Sequence, residues 1–349
     1  MPPEVARLGI RIAALSGKPD TALVEALDRS GGGSAGPRTW TVEDRAALLA
    51  EVPRRGDPAR GERVFRREAA QCLKCHAVAG AGGRVGPGLE SIGASAPVDY
   101  LLDSLVEPAK AIKEGYHATV VATTDGRVLT GLVVRQAGGE LVLRDAEDRE
   151  VTIPLDAVEE QKPAGSLMPA GLTDAMTRAE IIDLVRFLSE MGKLGPYAVS
   201  PQSRFLRRWR VLEPPAVAPK GAGVEPFDAL ATDPKLPWSP AYSRVSGELP
   251  ADALATIPYR VSASRVGLAR AEVEVTTPGL VRFHLDPVPM ALWVDGVRMD
   301  PQAVLDVPLA PGLHALTFAL PADPQGPGFK AELQEAPGSP ARAQAVVGK

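Results

Sequence analysis

The sequence predicts a multidomain chain: a short α-helical segment, a mainly α domain carrying a small β-barrel insert, and an antiparallel β-sandwich. Three observations carry that prediction. Apolar residues recur at helical spacing on both sides of residues 116–158, and within that stretch the period shortens to two. From about residue 226 short alternating runs return, punctuated by Pro-Gly and Asp-Gly. A chain of 349 residues is long enough for two or three separate cores.

Residues 1–55 read as short helices. "EVARLGIRIAAL" places Val5, Leu8, Ile12 and Leu15 on one face, and Thr21 to Leu27 suggests a second helix. "RSGGGSAGPR" interrupts that pattern. Thr41 has N-cap chemistry, with Asp44 at N3, for a helix ending near Val52. Residues 56–198 form the next expected domain. Asp57 caps a helix with Pro58 at its first position, and Gly61, Val64, Phe65 and Glu68 share a face. A helix from about Pro97 to Val106 stops before Pro108.

The insert follows at about 116–158. "HATVVATTDGRVLTGLVVRQAGGELVLRDAEDREVTIPL" contains four or five β-rich runs, separated by Asp125-Gly126, Gly138-Gly139 and "AEDR". Helix returns at Thr177, which forms a T-x-x-E capping box with Glu180. Ile181, Leu184, Val185, Leu188 and Met191 make its buried stripe, and Gly192 ends it. Residues 199–225, rich in Pro and Arg, read as a linker. The sandwich spans 226–335, and 336–349 read as a disordered tail.

Composition narrows the function. Hydrophobic residues are 45% and charged ones 23%, ordinary for a globular chain, and the net charge of −4 gives no electrostatic case for nucleic acid. No segment approaches the roughly 20 apolar residues of a transmembrane helix, and the start lacks a basic region followed by an apolar core. Both cysteines fall in one stretch, "CLKCH" at 72–76, two residues apart, so they cannot staple a large fold.

Three chemistries suit that stretch. Structural zinc wants four nitrogen or sulfur ligands, and only His117, His284 and His314 could complete the set. A thioredoxin-like dithiol wants a βαβ context, whereas here a capped helix precedes Cys72 and a Gly-rich loop follows. Covalent heme fits better. Thiols at Cys72 and Cys75 can form thioethers to the two vinyl groups of one porphyrin, with the His76 imidazole reaching the iron. In "VGPGL" the Pro87 carbonyl can accept the Nδ1–H of His76, leaving Nε2 for the metal. Gly86 and Gly88 let the backbone pass close to the ring. "SLMPAGL" supplies a thioether outside any helical stripe, so Met168 is the preferred sixth ligand over Met176, Met191 and His117, with Pro169 holding it extended.

On these residues the stretch from about Gly56 to Tyr197 resembles a class I-like cytochrome c domain. More narrowly, it is similar to the heme-binding domain of large planctomycete and verrucomicrobial multidomain, dehydrogenase-associated proteins. The matching stretches are "GDPARGERVF", "CLKCHAVAGAGGRVGPGLESIGASAPVDYLLDSLVEP", "IKEGYHATVVATTDGRVLTG" and "SLMPAGLTDAMTRAEIIDLVRFLSEMG". The resemblance implies one covalent heme c, its iron held by His76 and Met168, with Cys72 and Cys75 as thioether sites. It further implies an electron carrier rather than an enzyme, with a dehydrogenase as donor and a downstream acceptor. The spacing of 92 residues between His76 and Met168 exceeds that of a compact single-heme domain, which is the departure the β insert makes. Covalent heme belongs to a periplasmic or otherwise exported compartment, so the expected chain is truncated ahead of residue 1, or is a fragment.

Two alternatives stand beside electron transfer. One is a heme enzyme or ligand sensor with an open iron position. The other places the biology in the sandwich, where "ALWVDGVRM" and "PLAPGLHALTFAL" resemble a hairpin of carbohydrate-binding jelly rolls. Trp293 would stack on a sugar there, and Asp295 would hold a hydroxyl or calcium. Alternation favours instead an inward Trp293 and a turn at Asp295-Gly296. The cluster Arg204, Arg207, Arg208 and Arg210 reads as solvated linker or intramolecular salt bridges, with docking of an acidic redox partner as the competing reading.

Overall fold

The computed structural model describes residues 5–6, 9, 21–30, 39–174, 176–200, 203–214, 225–257 and 265–349. The expected stripe of Leu8, Ile12 and Leu15 lies outside them. The fold mixes helix with several antiparallel sheets, and its C-terminal half is largely β. It divides into two compact units: Met1–Ala77 with Gly83–Ala198, and Val78–Gly82 with Val199–Lys349.

Among its described residues the first unit includes the helices α1 Thr21–Ser30, α2 Val42–Arg55, α3 Pro58–Arg66, α4 Cys72–Cys75, α5 Val98–Val106 and α6 Arg178–Glu190. Local capping chemistry fixes three starts. Thr41 with Asp44 and Thr177 with Glu180 both close full capping boxes, and Asp57 caps α3 ahead of Pro58. The hub is α6, whose Ile181, Leu184 and Val185 are fully buried, as is its C-cap Met191. Gly61 lets α3 cross it, since a Cβ there would lie 2.0 Å from the Asp183 carbonyl oxygen. Phe65 meets the Phe187 ring, centroids 5.5 Å apart. Asp183, only 4% exposed, ties the crossing. Its carboxylate accepts the Asp57 N–H at 2.7 Å, Arg60 Nε at 2.7 Å and Arg60 Nη2 at 2.9 Å. α2, expected to belong to a separate helical segment, joins this unit instead, its Glu51 paired with Arg178 at 2.8 Å and its Arg45 with Asp103 at 2.8 Å.

Between α5 and α6 lie five strands: β1 His117–Thr123, β2 Val128–Ala137, β3 Glu140–Arg144, β4 Glu150–Pro154 and β5 Val158–Ser166. They run antiparallel in the order β4-β3-β2-β1-β5, around Val121, Leu141, Leu143 and Ile153. This corrects the expected barrel to an open sheet. β5 pairs on the free edge of β1, with two register shifts, so β4 and β5 become the two ends. It also extends the insert from 158 to Ser166.

The second unit holds β6 Arg208–Leu212, α7 Glu225–Thr232, β7 Trp238–Tyr242, β8 Val266–Thr277, β9 Gly279–Asp286, β10 Ala291–Val294, β11 Val297–Met299, β12 Val304–Leu309, β13 Gly312–Pro321, β14 Lys330–Glu335 and β15 Arg342–Ala345. One antiparallel sheet runs β11-β10-β13-β8-β6-β7 with β15 also on β8, and a second runs β12-β9-β14. Apolar residues of both sheets, among them Val273, Phe283, Val307, Phe318 and Leu333, share one core, while Val266, Leu268 and Trp293 belong to a second cluster with Phe227 of α7.

Two boundaries are corrected here. β6 falls inside the expected linker 199–225: Trp209 and Val211 point into the core while Arg208 and Arg210 alternate away, so the Arg-rich composition hid a strand. The expected disordered tail contains β15, ordered by its ladder to β8 from Val273↔Ala345 to Thr277↔Arg342. Among the described residues no helix is long and apolar enough to cross a membrane.

Candidate functional site

The motif stretch begins where α3 ends. Gln71 takes a left-handed conformation, φ +59°, and turns the chain into the single-turn helix α4. On that turn Cys72 and Cys75 stand at i and i+3, the spacing that shares a helix face. The His76 N–H closes the turn onto the Cys72 carbonyl at 2.8 Å, and His76 itself is extended, φ −105° and ψ 145°. The two thiols are not joined in a disulfide.

The following loop wraps the motif through its backbone. The Gly83 N–H donates to the Leu73 carbonyl at 2.9 Å, Gly86 to Cys75 at 2.7 Å and Leu89 to Ala77 at 2.9 Å. Gly83 passes so close that a Cβ would lie 1.9 Å from the Lys74 carbonyl oxygen. Gly86 lies against the imidazole, where a Cβ would sit 2.5 Å from His76 Cε1. His76 Nδ1 lies 2.8 Å from the Pro87 carbonyl oxygen. A carbonyl only accepts, so Nδ1 carries the proton and Nε2 keeps its lone pair. The sequence anticipated both contacts. Their signal was a Gly-Pro pair within reach of a histidine.

Electrostatics separate the candidate chemistries. Burial holds the His76 imidazole below its ordinary pKa, the Pro87 carbonyl partly opposing, so the ring is neutral at neutral pH. Burial pushes the Cys72 thiol up to about 12. A redox or nucleophilic dithiol needs the opposite shift. Zinc fares no better. Among the described residues no three His, Cys, Asp or Glu side chains gather as a metal site. His117 opens β1 and is exposed, His284 lies in β9, and both ring nitrogens of His314 are engaged, with Asp295 at 2.7 Å and Ala310 at 2.8 Å.

Met168 is half-buried, two residues beyond β5, with its N–H donating to Ser166 Oγ at 3.1 Å. It therefore stands on the connection from the small sheet to α6, apart from the segment that unites Cys72, Cys75, His76 and Pro87. Met176 and Met191, the other thioethers weighed, are buried at 2% and 0% exposure. The residues present fit a covalent porphyrin. Two thiols share a helix face, an imidazole offers Nε2, and Gly86 leaves the ring uncovered by any side chain of its own. Arg67, whose charge bears on Cys72, bonds the Glu180 carboxylate through Nη1 at 2.5 Å, and its buried Nε lacks a hydrogen-bond partner.

Trp293, Asp295, Arg204, Arg207 and Arg208 have structural partners or roles. Trp293 is 1% exposed and donates from Nε1 to Asp228 Oδ1 at 2.8 Å, so it offers no stacking face to a sugar. Asp295 and Gly296 have φ of +50° and +79° and make the turn between β10 and β11. In the arginine cluster, Arg204 donates to the Ala343 carbonyl and Arg207 to those of Arg244 and Val245. Arg208 pairs with Glu272 at 2.8 Å. Sequence reasoning missed Asp148 and Arg144, which hold the loop of the motif from the small sheet. No family model matches the chain, and no curated protein matches it.

Proposed function

We propose that this chain is a c-type cytochrome that carries electrons. Its first unit is then a class I-like cytochrome c domain with a β insert, and its second a β-sandwich. The observation that carries the reading is the 2.8 Å contact of His76 Nδ1 with the Pro87 carbonyl oxygen inside a C-x-x-C-H turn, which presents Nε2 as a ligand. The bound heme c supplies a one-electron ferric/ferrous couple. Cys72 and Cys75 would anchor it, and His76 and Met168 would hold its iron. Pro87 fixes the imidazole tautomer, and Gly86 clears space against the ring. Ligation by His76 and Met168 would leave no open iron position and would favour a raised potential. The donor in this reading is a dehydrogenase, the acceptor a downstream carrier, and the compartment periplasmic or otherwise exported.

The test is expression behind an export signal, followed by spectra of both oxidation states. Low-spin iron, with the weak red ferric band of iron–thioether bonding that Met168→Ala removes, is the expected result. A high-spin ferric spectrum unaffected by that substitution would favour an open-site enzyme or sensor and overturn the electron-carrier reading.

A further inference from the structure

The loop that carries Pro87 is held on two sides. Its inner side is bonded to the motif through the amides of Gly83, Gly86 and Leu89. Its outer side turns on Arg84, and both backbone polar groups of that residue are taken by the hairpin joining β3 to β4. The Arg84 N–H donates to Asp148 Oδ2 at 3.1 Å, and Arg144 Nη1 donates to the Arg84 carbonyl at 3.2 Å. Asp148 is set for this task. It is left-handed, φ +68°, its side chain is 4% exposed, and Oδ1 faces two guanidinium groups, Arg144 Nε at 3.3 Å and Arg84 Nε at 3.8 Å. Arg144 is also held by Glu150 at 2.6 Å. A surface loop could leave the Arg84 backbone to water. Here a buried carboxylate and an arginine replace that water, three residues from the carbonyl that bonds His76.

We infer that the β3–β4 hairpin is a brace, with Asp148 and Arg144 as positioning residues that set the Pro87 carbonyl against His76 Nδ1 and so tune the iron couple. The inference rests on the heme reading for its last step only. The small sheet then has a function at the site, not merely beside it. A well-placed acceptor raises the basicity of the imidazole and favours ferric iron. A loosened loop weakens that bond, so the ferric to ferrous ratio falls at a fixed solution potential.

Asp148→Gly removes the carboxylate yet keeps the left-handed backbone, and Asp148→Asn keeps an oxygen acceptor in a residue that tolerates that backbone. The full chain is compared in all three forms by amide hydrogen exchange, by exchange of the His76 Nδ1 proton in the ferrous state, and by redox titration. In Asp148→Gly the Gly86 and Leu89 amides and the His76 proton should exchange about tenfold faster, while α6 amides stay unchanged. The ferric to ferrous ratio should fall about threefold, with Asp148→Asn near the native protein in each measurement. Unchanged loop amides in Asp148→Gly overturn the brace. So does faster exchange of α6 amides to the same degree, which marks general destabilisation. Faster loop amides with an unchanged His76 proton and ratio overturn the tuning. If the native chain carries no heme, the proposed function fails, and the amide measurement alone decides the brace.

Discussion

At the scale of single residues the candidate site is legible wherever its contacts are local. Cys72, Cys75 and His76 announce themselves by spacing, and Pro87 by its distance from the histidine. Asp183 and Asp148 did not announce themselves, because each is bonded to residues more than sixty positions away. Gly86 gives the first prediction. A methyl group at Gly86→Ala would come within 2.5 Å of His76 Cε1, so the ring or the loop must shift. The expected cost is about 1–3 kcal/mol, read as a lower denaturant midpoint. His314 gives the second. Burial pulls its pKa down, but the Asp295 carboxylate and the Ala310 carbonyl together hold it above the ordinary 6.5. A raised folded-state value means that His314 stabilises the protein fully below pH about 6.5, and that this contribution is lost as pH rises through the folded value. Unfolding free energy should therefore fall between mildly acidic and mildly alkaline pH. His314→Gln should remove that slope, and an unchanged slope would contradict the assignment.

At the scale of elements, helix starts were legible because capping is chemistry between residues three apart, as at Thr41 and Asp44 or Thr177 and Glu180. Packing between helices was half legible. Gly61 signalled a close crossing, but the partner of Phe65 depends on α6 rotation, which no local signal fixes. Gly61→Ala should destabilise the first unit by more than ordinary overpacking of about 1–3 kcal/mol, since the obstacle is the Asp183 backbone rather than a mobile side chain. Thermal unfolding followed by circular dichroism measures it. Strands were harder. β6 was hidden because its outward arginines outweigh its inward Trp209 and Val211 in composition. β15 was hidden because "RAQA" has little propensity of its own, and its order comes from the ladder on β8. Trp209, packed edge-on against Phe318 and Phe329 at 5.8 and 5.9 Å, shows that β6 is core. Trp209→Ala should cost about 3–5 kcal/mol, whereas a linker tryptophan would cost almost nothing.

At the scale of the whole molecule, alternating periods revealed helical and β regions, but not where the compact units divide. Residues 42–55 join the first unit through contacts with α6 and α5, and Val78–Gly82 clusters with the second. Those assignments depend on contacts between distant segments, which hydrophobic period does not encode. The functional account depends on the covalent attachment proposed for Cys72 and Cys75 in the first unit. Mass spectrometry of the peptide containing residues 72–76, from chain exported by a heme-attaching host, measures it most directly. The account predicts a peptide heavier by one heme, with neither Cys72 nor Cys75 available to a thiol-alkylating reagent. Recovery of that peptide at its unmodified mass, with both cysteines alkylated, would contradict it.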